Sequence, residues 1–301
     1  MFGFRKMLLI FRSDSDAIHW ALNQAQQHQS RISIWQVLNL PSLDRRITKQ
    51  VTAETELNLE QLTSEKLNRD LAELVATCDS LGSDVRTRVI HRDLKNELQG
   101  FLWNERPDVV IIPLVETSDF RGLLREIVGD LPIPILFLNS RLKQSNPNVL
   151  VVLDTIENVA DSTLRFCTYL SRDFFDNVQF SFLHPIFDSG ERYLEGRRGV
   201  ATKALESVEK ELASDHHQAV HAVLSQFGFG SNPFVVRKGN RTRVISEGVR
   251  EASADIVIVN PDDLQRSIWN IIQTPLEQLL NVLNCSVLLT APSRFIQERT
   301  D

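Results

Sequence analysis

The chain has 301 residues, enough for about two domains at ~150 residues each. Hydrophobic residues make up 42% and charged residues 24%, which excludes a disordered or fibrous chain. The net charge of −6 gives no broad attraction to nucleic acid or anionic lipid, since both require a surplus of Lys and Arg.

The first apolar block, Met7 to Phe11, is too short for a signal-peptide core and is interrupted by Arg12-Ser13-Asp14, so it is expected to be a buried strand. Further short apolar runs follow at Ile32–Leu38, Val85–Ile90, Val109–Ile112 and Ile133–Leu138. Between them lie helical periodicities, one long stretch from Leu57 to Val75 and another through Leu94, Leu98, Phe101 and Leu102. The second half repeats the order, with strands expected at Val149–Leu153, Val178–Leu183, Phe234–Val236, Ile256–Val259 and Val287–Leu289. Strands that are apolar on both faces and alternate with helices predict an α/β protein with parallel sheets covered on each side. The best internal match is Asp108-Val-Val-Ile-Ile-Pro113 with Asp255-Ile-Val-Ile-Val-Asn260, offset by 147 residues, which points to a duplicated unit. A polar tether from Asn139 to Asn148 separates the copies, giving domains at 1–141 and 147–301 with a linker at 142–146. No apolar run approaches the ~18 residues of a membrane span. Cys78, Cys167 and Cys285 form no CxxC pair or disulfide framework. A protein of the reducing cytoplasm, not embedded in a membrane, is expected.

In these features the chain resembles the universal stress protein family in its tandem two-domain form. The resemblance covers nearly the whole chain. It rests on the five-strand order in each half, the Asp-headed fourth strand, and the closing segment Asn284-Cys285-Ser286-Val287-Leu288-Leu289-Thr290. It implies two doubly wound domains of the adenine nucleotide alpha hydrolase-like kind, each with a five-stranded parallel sheet ordered 3-2-1-4-5. It also implies an intramolecular pseudo-dimer paired through the fifth strands, with a further homodimer left open, and a ligand crevice at the carboxyl ends of strands one and four.

Nucleotide-binding members of the family carry an Asp after strand one and G-x2-G-x9-G-[ST] after strand four. Those glycines let bare backbone amides approach the phosphates. In the second half the pattern falls on Asn260, Asp263, Gln273 and Thr274, with Asp154 at the acidic position after strand one. All three glycines are replaced, Asp263 adds an anion, and Pro261 removes a donor. Thr274-Pro275-Leu276-Glu277 also reads as a capping box opening a helix through Leu276, Leu279, Leu280 and Leu283. In the first half Ser13 takes the acidic position with Asp14 beside it, the motif register starts at Pro113 and meets Glu116, and Gly122 and Gly129 fall outside it. The phosphate cradle is therefore expected to be degenerate in both halves.

Other constellations have simpler readings beside the functional ones. His217 and His221 have the i, i+4 spacing of a metal-binding pair, or of a solvated helix face. Gly228-Phe-Gly230 lacks the third glycine of a dinucleotide fingerprint and is expected to be a flexible connection into the next strand. Arg192, Arg197, Arg198, Arg237, Lys238, Arg241 and Arg243 form the densest basic group. It is either a solvated face or, with the many phenylalanines from Phe174 to Phe234, a lining for an amphipathic anionic ligand. No G-x-S-x-G elbow, Walker A sequence or paired Cys/His signature occurs. The expectation is a non-catalytic stress-response protein without a cofactor, acting through an unknown protein partner or a small amphipathic or anionic ligand. The alternative is a nucleotide-binding member with weak ATPase activity, using Asp154 and Thr274. A metal-dependent enzyme centred on His217 and His221 is a third reading.

Overall fold

The structure is a computed structural model. It describes residues 4–12, 14–37, 84–90, 94–116, 133–139, 141–142, 146–153, 158–173, 177–186, 202–260 and 275–290, with scattered helical positions between 65 and 76. The described residues up to Asn139 form one compact unit and those from Arg141 onward form another.

In the first unit the strands are β1 (Lys6–Phe11), β2 (Arg31–Val37), β3 (Val85–Ile90), β4 (Val109–Pro113) and β5 (Ile135–Leu138). All their pairings are parallel, in the order β3-β2-β1-β4-β5. Helix α1 (Ser15–Gln27) connects β1 to β2, and α2 (Leu94–Glu105) precedes β4. The second unit repeats the scheme. Strands β6 (Asn148–Val152), β7 (Gln179–Ile186), β8 (Phe234–Lys238), β9 (Ile256–Val259) and β10 (Ser286–Leu289) pair in parallel as β8-β7-β6-β9-β10. Its helices are α3 (Asn158–Asp173), α4 (Thr202–Gln226), α5 (Arg241–Glu251) and α6 (Pro275–Val282). Each unit thus has the doubly wound 3-2-1-4-5 sheet that the resemblance implies. Each expected strand matches an observed one within a few residues, because continuous apolar runs bounded by polar residues mark strands buried on both faces.

Burial explains the order. Central strands β4 and β9 are buried along their whole lengths, whereas edge strands β3 and β8 consist mostly of half-buried and exposed positions. The duplicated aspartates have one structural task. Asp108 Oδ2 accepts the Lys6 amide at 2.9 Å, and Asp255 Oδ2 accepts the Asn148 amide at 2.9 Å. In return the Asp108 and Asp255 amides donate to the Lys6 and Asn148 carbonyls, each at 2.8 Å. Each aspartate therefore ties the start of the fourth strand of its unit to the start of the first, at the sheet end opposite the expected crevice.

One connection differs from expectation. Gly228, at φ +82°, donates to the Ser225 carbonyl while Phe229 donates to the Leu224 carbonyl at 2.8 Å. This is a Schellman C-cap that closes α4, with Leu224 and Phe229 both buried. The glycine supplies the left-handed turn of an ordered helix stop, not a flexible link. Phe229 then packs on Phe180 and Phe182, with ring centroids 5.4 and 5.3 Å away, which places these phenylalanines in the core. Phe174, Phe175 and Phe187 lie outside the described residues, as do the Leu57–Val75 stretch apart from a few positions such as buried Leu71, and Cys78.

Candidate functional site

In a doubly wound sheet the ligand crevice lies where strand order reverses, at the carboxyl ends of the first and fourth strands. In the first unit this point lies between the end of β1 and the single 3-10 turn Leu114–Glu116 that follows β4. Glu116 is 4% exposed. Its Oε2 accepts the Arg12 amide at 2.6 Å and its Oε1 accepts the Asp14 amide at 2.8 Å. The Arg12 carbonyl accepts from the Gln36 side-chain amide at 3.1 Å, so the turn leaving β1 is held from both sides. Asp14 caps α1, its Oδ1 taking the amides of Asp16 and Ala17 at 3.0 and 3.2 Å. Four backbone amides at the mouth of the crevice and the start of α1 are thus directed at two carboxylates of the protein itself. These donors are of the kind that would otherwise cradle an anion. Ser13, Gly122 and Gly129 lie outside the described residues.

The second unit has a different lining. Superimposing the fourth strands through Asp108 and Asp255 sets Asn260 opposite Pro113, His184 opposite Gln36 and Thr290 opposite Leu138. Asn260, His184 and Thr290 are all buried, at 1%, 3% and 2% exposure, so the carboxyl edge of this sheet is polar where its counterpart is largely apolar. Among the described residues the Thr290 hydroxyl has no hydrogen-bond partner. Asp154, Pro261, Asp263, Gln273 and Thr274 lie outside the described residues. Helix α6 begins at Pro275 and buries Leu276, Leu279 and Leu280, with Leu283 buried just beyond its end.

Among the described residues, His184 is a buried imidazole that sequence reasoning passed over. Its Nδ1 donates to the Leu153 carbonyl, and its Nε2 accepts from His216 Nδ1 at 2.9 Å, with the two rings stacked at 5.0 Å. Burial holds its pKa below the ordinary histidine value; the Leu153 carbonyl opposes this and His216 adds to it. The pair links the turn leaving β6 to α4. No spacing in the sequence marks it, since the two residues meet only through the fold.

The expected His217 and His221 pair flanks one aromatic ring. Their imidazoles stand 4.4 and 6.1 Å from the Phe234 ring on edge strand β8. Among the described residues no group of three or more His, Cys, Asp or Glu is placed to hold a metal ion. In the basic group, Arg237 is bound to Glu251 at 2.8 Å and lies 3.6 Å from Glu247, while Arg243 pairs with Glu247 at 2.9 Å. These two guanidiniums are held by carboxylates of α5 and do not present a free positive pocket. Arg192, Arg197 and Arg198 lie outside the described residues. No described helix is long and apolar enough to cross a membrane.

No protein family model matches the sequence, and no curated protein matches it at a significant level. Solved structures do match in fold. A functionally unknown protein from Pseudomonas aeruginosa covers 98% of this chain and 95% of its own, at 15% identity and a TM-score of 0.56. A universal stress protein from Archaeoglobus fulgidus covers 95% of this chain and 96% of its own, at 13% identity and a TM-score of 0.57. The chain has the fold of these universal stress protein structures along almost its entire length.

Proposed function

We propose that this is a non-catalytic stress-response protein of the universal stress type, acting through a protein partner or a small ligand, with no nucleotide held in the crevice of its first domain. The observation that carries this reading is Glu116. Its buried carboxylate sits at the motif position after β4 and takes the Arg12 and Asp14 amides of the turn leaving β1, so an acid of the protein itself fills the mouth of the crevice. A phosphate oxygen brought ~4 Å from that carboxylate would meet a repulsion of about 4 kcal/mol at an effective dielectric of ~20. The same 147-residue offset that relates the fourth strands relates Glu116 to Asp263, so the second domain carries an acid at the corresponding sequence position.

A second reading draws support from the second domain alone. The buried Asn260 and Thr290 at its carboxyl edge are polar groups suited to a ligand, and Asp154 follows the first strand of that domain. In this alternative the second crevice binds a nucleotide and hydrolyses it weakly. Calorimetric titration of the intact chain with ATP and magnesium separates the two. No saturable heat in the micromolar range is the expected result. Micromolar binding abolished by Asp154→Ala would establish the alternative, and micromolar binding that survives Asp154→Ala would overturn the reading of Glu116.

A further inference from the structure

Away from both crevices, the second unit has a cavity of about 350 Å³ between α5 and the β6–β8 part of its sheet, within the size range of small-molecule sites. Leu150, Leu183, Val235 and Gly248 supply its apolar walls and Ser181 a hydroxyl; Arg237 and Glu251 stand at the polar side. It lies toward the amino ends of these strands, opposite the crevice end, since Asn148, Gln179 and Pro233 line it as well.

The first unit shows what this frame holds when it is filled. Matching the fourth strands sets Trp35 opposite Leu183 and Arg88 opposite Val235 through the paired registers. Phe101 stands as far before Asp108 as Gly248 does before Asp255. In the first unit Trp35 and Phe101 pack edge to face at 4.8 Å, and Arg88 lies 5.6 Å over the Trp35 ring while pairing with Glu97 at 2.6 Å. The hollow beside that pair is lined by Arg88, Asn96, Glu97, Asn104 and Glu105 together with Phe101. In the second unit the two aromatic side chains are replaced by a leucine and a glycine, and the cation over the ring by Val235, 46% exposed. Two leucines of the sheet take part of the space nearest α5: a Cβ on Gly248 would stand 3.0 Å from Leu183 Cδ2 and 3.2 Å from Leu150 Cδ2. The remaining space is the cavity.

We propose that the second unit binds a small, flat, uncharged aromatic molecule in this cavity, in the place that the first unit fills with its own Trp35–Phe101 pair. The shape follows from the two aromatic rings that occupy the same frame in the first unit. The charge follows from the lining, where Arg237 and Glu251 neutralise each other at 2.8 Å and leave neither free to pair with an ion. Ser181 Oγ lies 3.5 Å from the Val149 carbonyl, a long contact that leaves its lone pairs open to a ring N–H. This inference is independent of what the crevices bind.

The test uses indole, the side chain of Trp35, as probe, with indole-3-carboxylate as the charged comparator. Methyl NMR spectra of the intact chain are titrated to millimolar concentration, following Leu150, Leu183 and Val235. Saturable shifts on these methyls, and none on Leu8 at the matching position of the first unit, are expected. Val235→Trp, at an exposed edge-strand position, should weaken indole binding by at least about tenfold by filling the cavity. Ala252→Trp fills it from the end of α5 and serves as a second variant should the first fail to fold. Absence of saturable shifts, binding undiminished in both variants, or tighter binding of the carboxylate than of indole would overturn the proposal.

Discussion

Replacing Glu116 tests the first crevice from the side of stability. The carboxylate is 4% exposed and accepts two amides at 2.6 and 2.8 Å across a sequence separation of about a hundred residues. Hydrogen bonds to a charged acceptor contribute ~1.5–3 kcal/mol each, and their removal leaves two amides with no acceptor nearby. Glu116→Ala should therefore cost about 3 kcal/mol. Glu116→Gln keeps one acceptor oxygen but turns an NH2 group toward the other amide, and should cost about 2 kcal/mol. For a domain of this size 2 kcal/mol corresponds to a fall of roughly 6 °C in Tm. Urea unfolding followed by tryptophan fluorescence is the assay, because Trp20, Trp35 and Trp103 lie in the first domain and only Trp269 in the second. A Glu116→Ala protein within about 0.5 kcal/mol of wild type would refute the reasoning, since it would mean that the two amides do not depend on this carboxylate.

Three further outcomes follow from the second domain. Because burial lowers the His184 pKa, the unfolded chain binds a proton that the native state resists, so stability is fully present above the unfolded histidine value of ~6.5 and declines as pH falls below it. Urea midpoints of the second domain between pH 8 and 5 should show this decline, and His184→Gln should flatten it while retaining a donor for the Leu153 carbonyl. Cys167 is fully buried with its thiol pKa pushed far up by burial, and burial pushes Cys285 up to about 12, so neither should react with a thiol reagent at pH 8 until the domain unfolds. Mass spectrometry of the labelled protein checks this; rapid native labelling at either position would contradict it. Gly228→Ala places a Cβ at φ +82° in the C-cap of α4 and should lower the stability of the second domain by about 1 kcal/mol, measured by urea unfolding followed by far-UV circular dichroism.

The scaffold was largely legible because its signals are local. Short apolar runs between polar punctuation marked the strands, and Asp108 and Asp255 announced the duplication because each performs the same tie at the same place. The working parts were legible only in fragments. Glu116 stood out as a misfit in a glycine motif, but its role depends on two amides of the turn that follows β1, far away in sequence. His184 and His216 form a pair only because α4 lies over β7, while the better-spaced His217 and His221 turn to Phe234. Gly228 looked like a loop residue because a Schellman cap is defined by carbonyls several residues earlier, not by a glycine pattern. The charge of Arg237 and Arg243 looked available until α5 placed Glu247 and Glu251 against them.

The most direct measurement is the 15N–1H spectrum of the intact chain with the Arg12 and Asp14 amides assigned, recorded while ATP and magnesium are added to millimolar concentration. Both amides should stay where Glu116 holds them, strongly hydrogen-bonded and unshifted. Saturable movement of the two together at micromolar nucleotide would mean that phosphate displaces the carboxylate, and that the first crevice is a working nucleotide site.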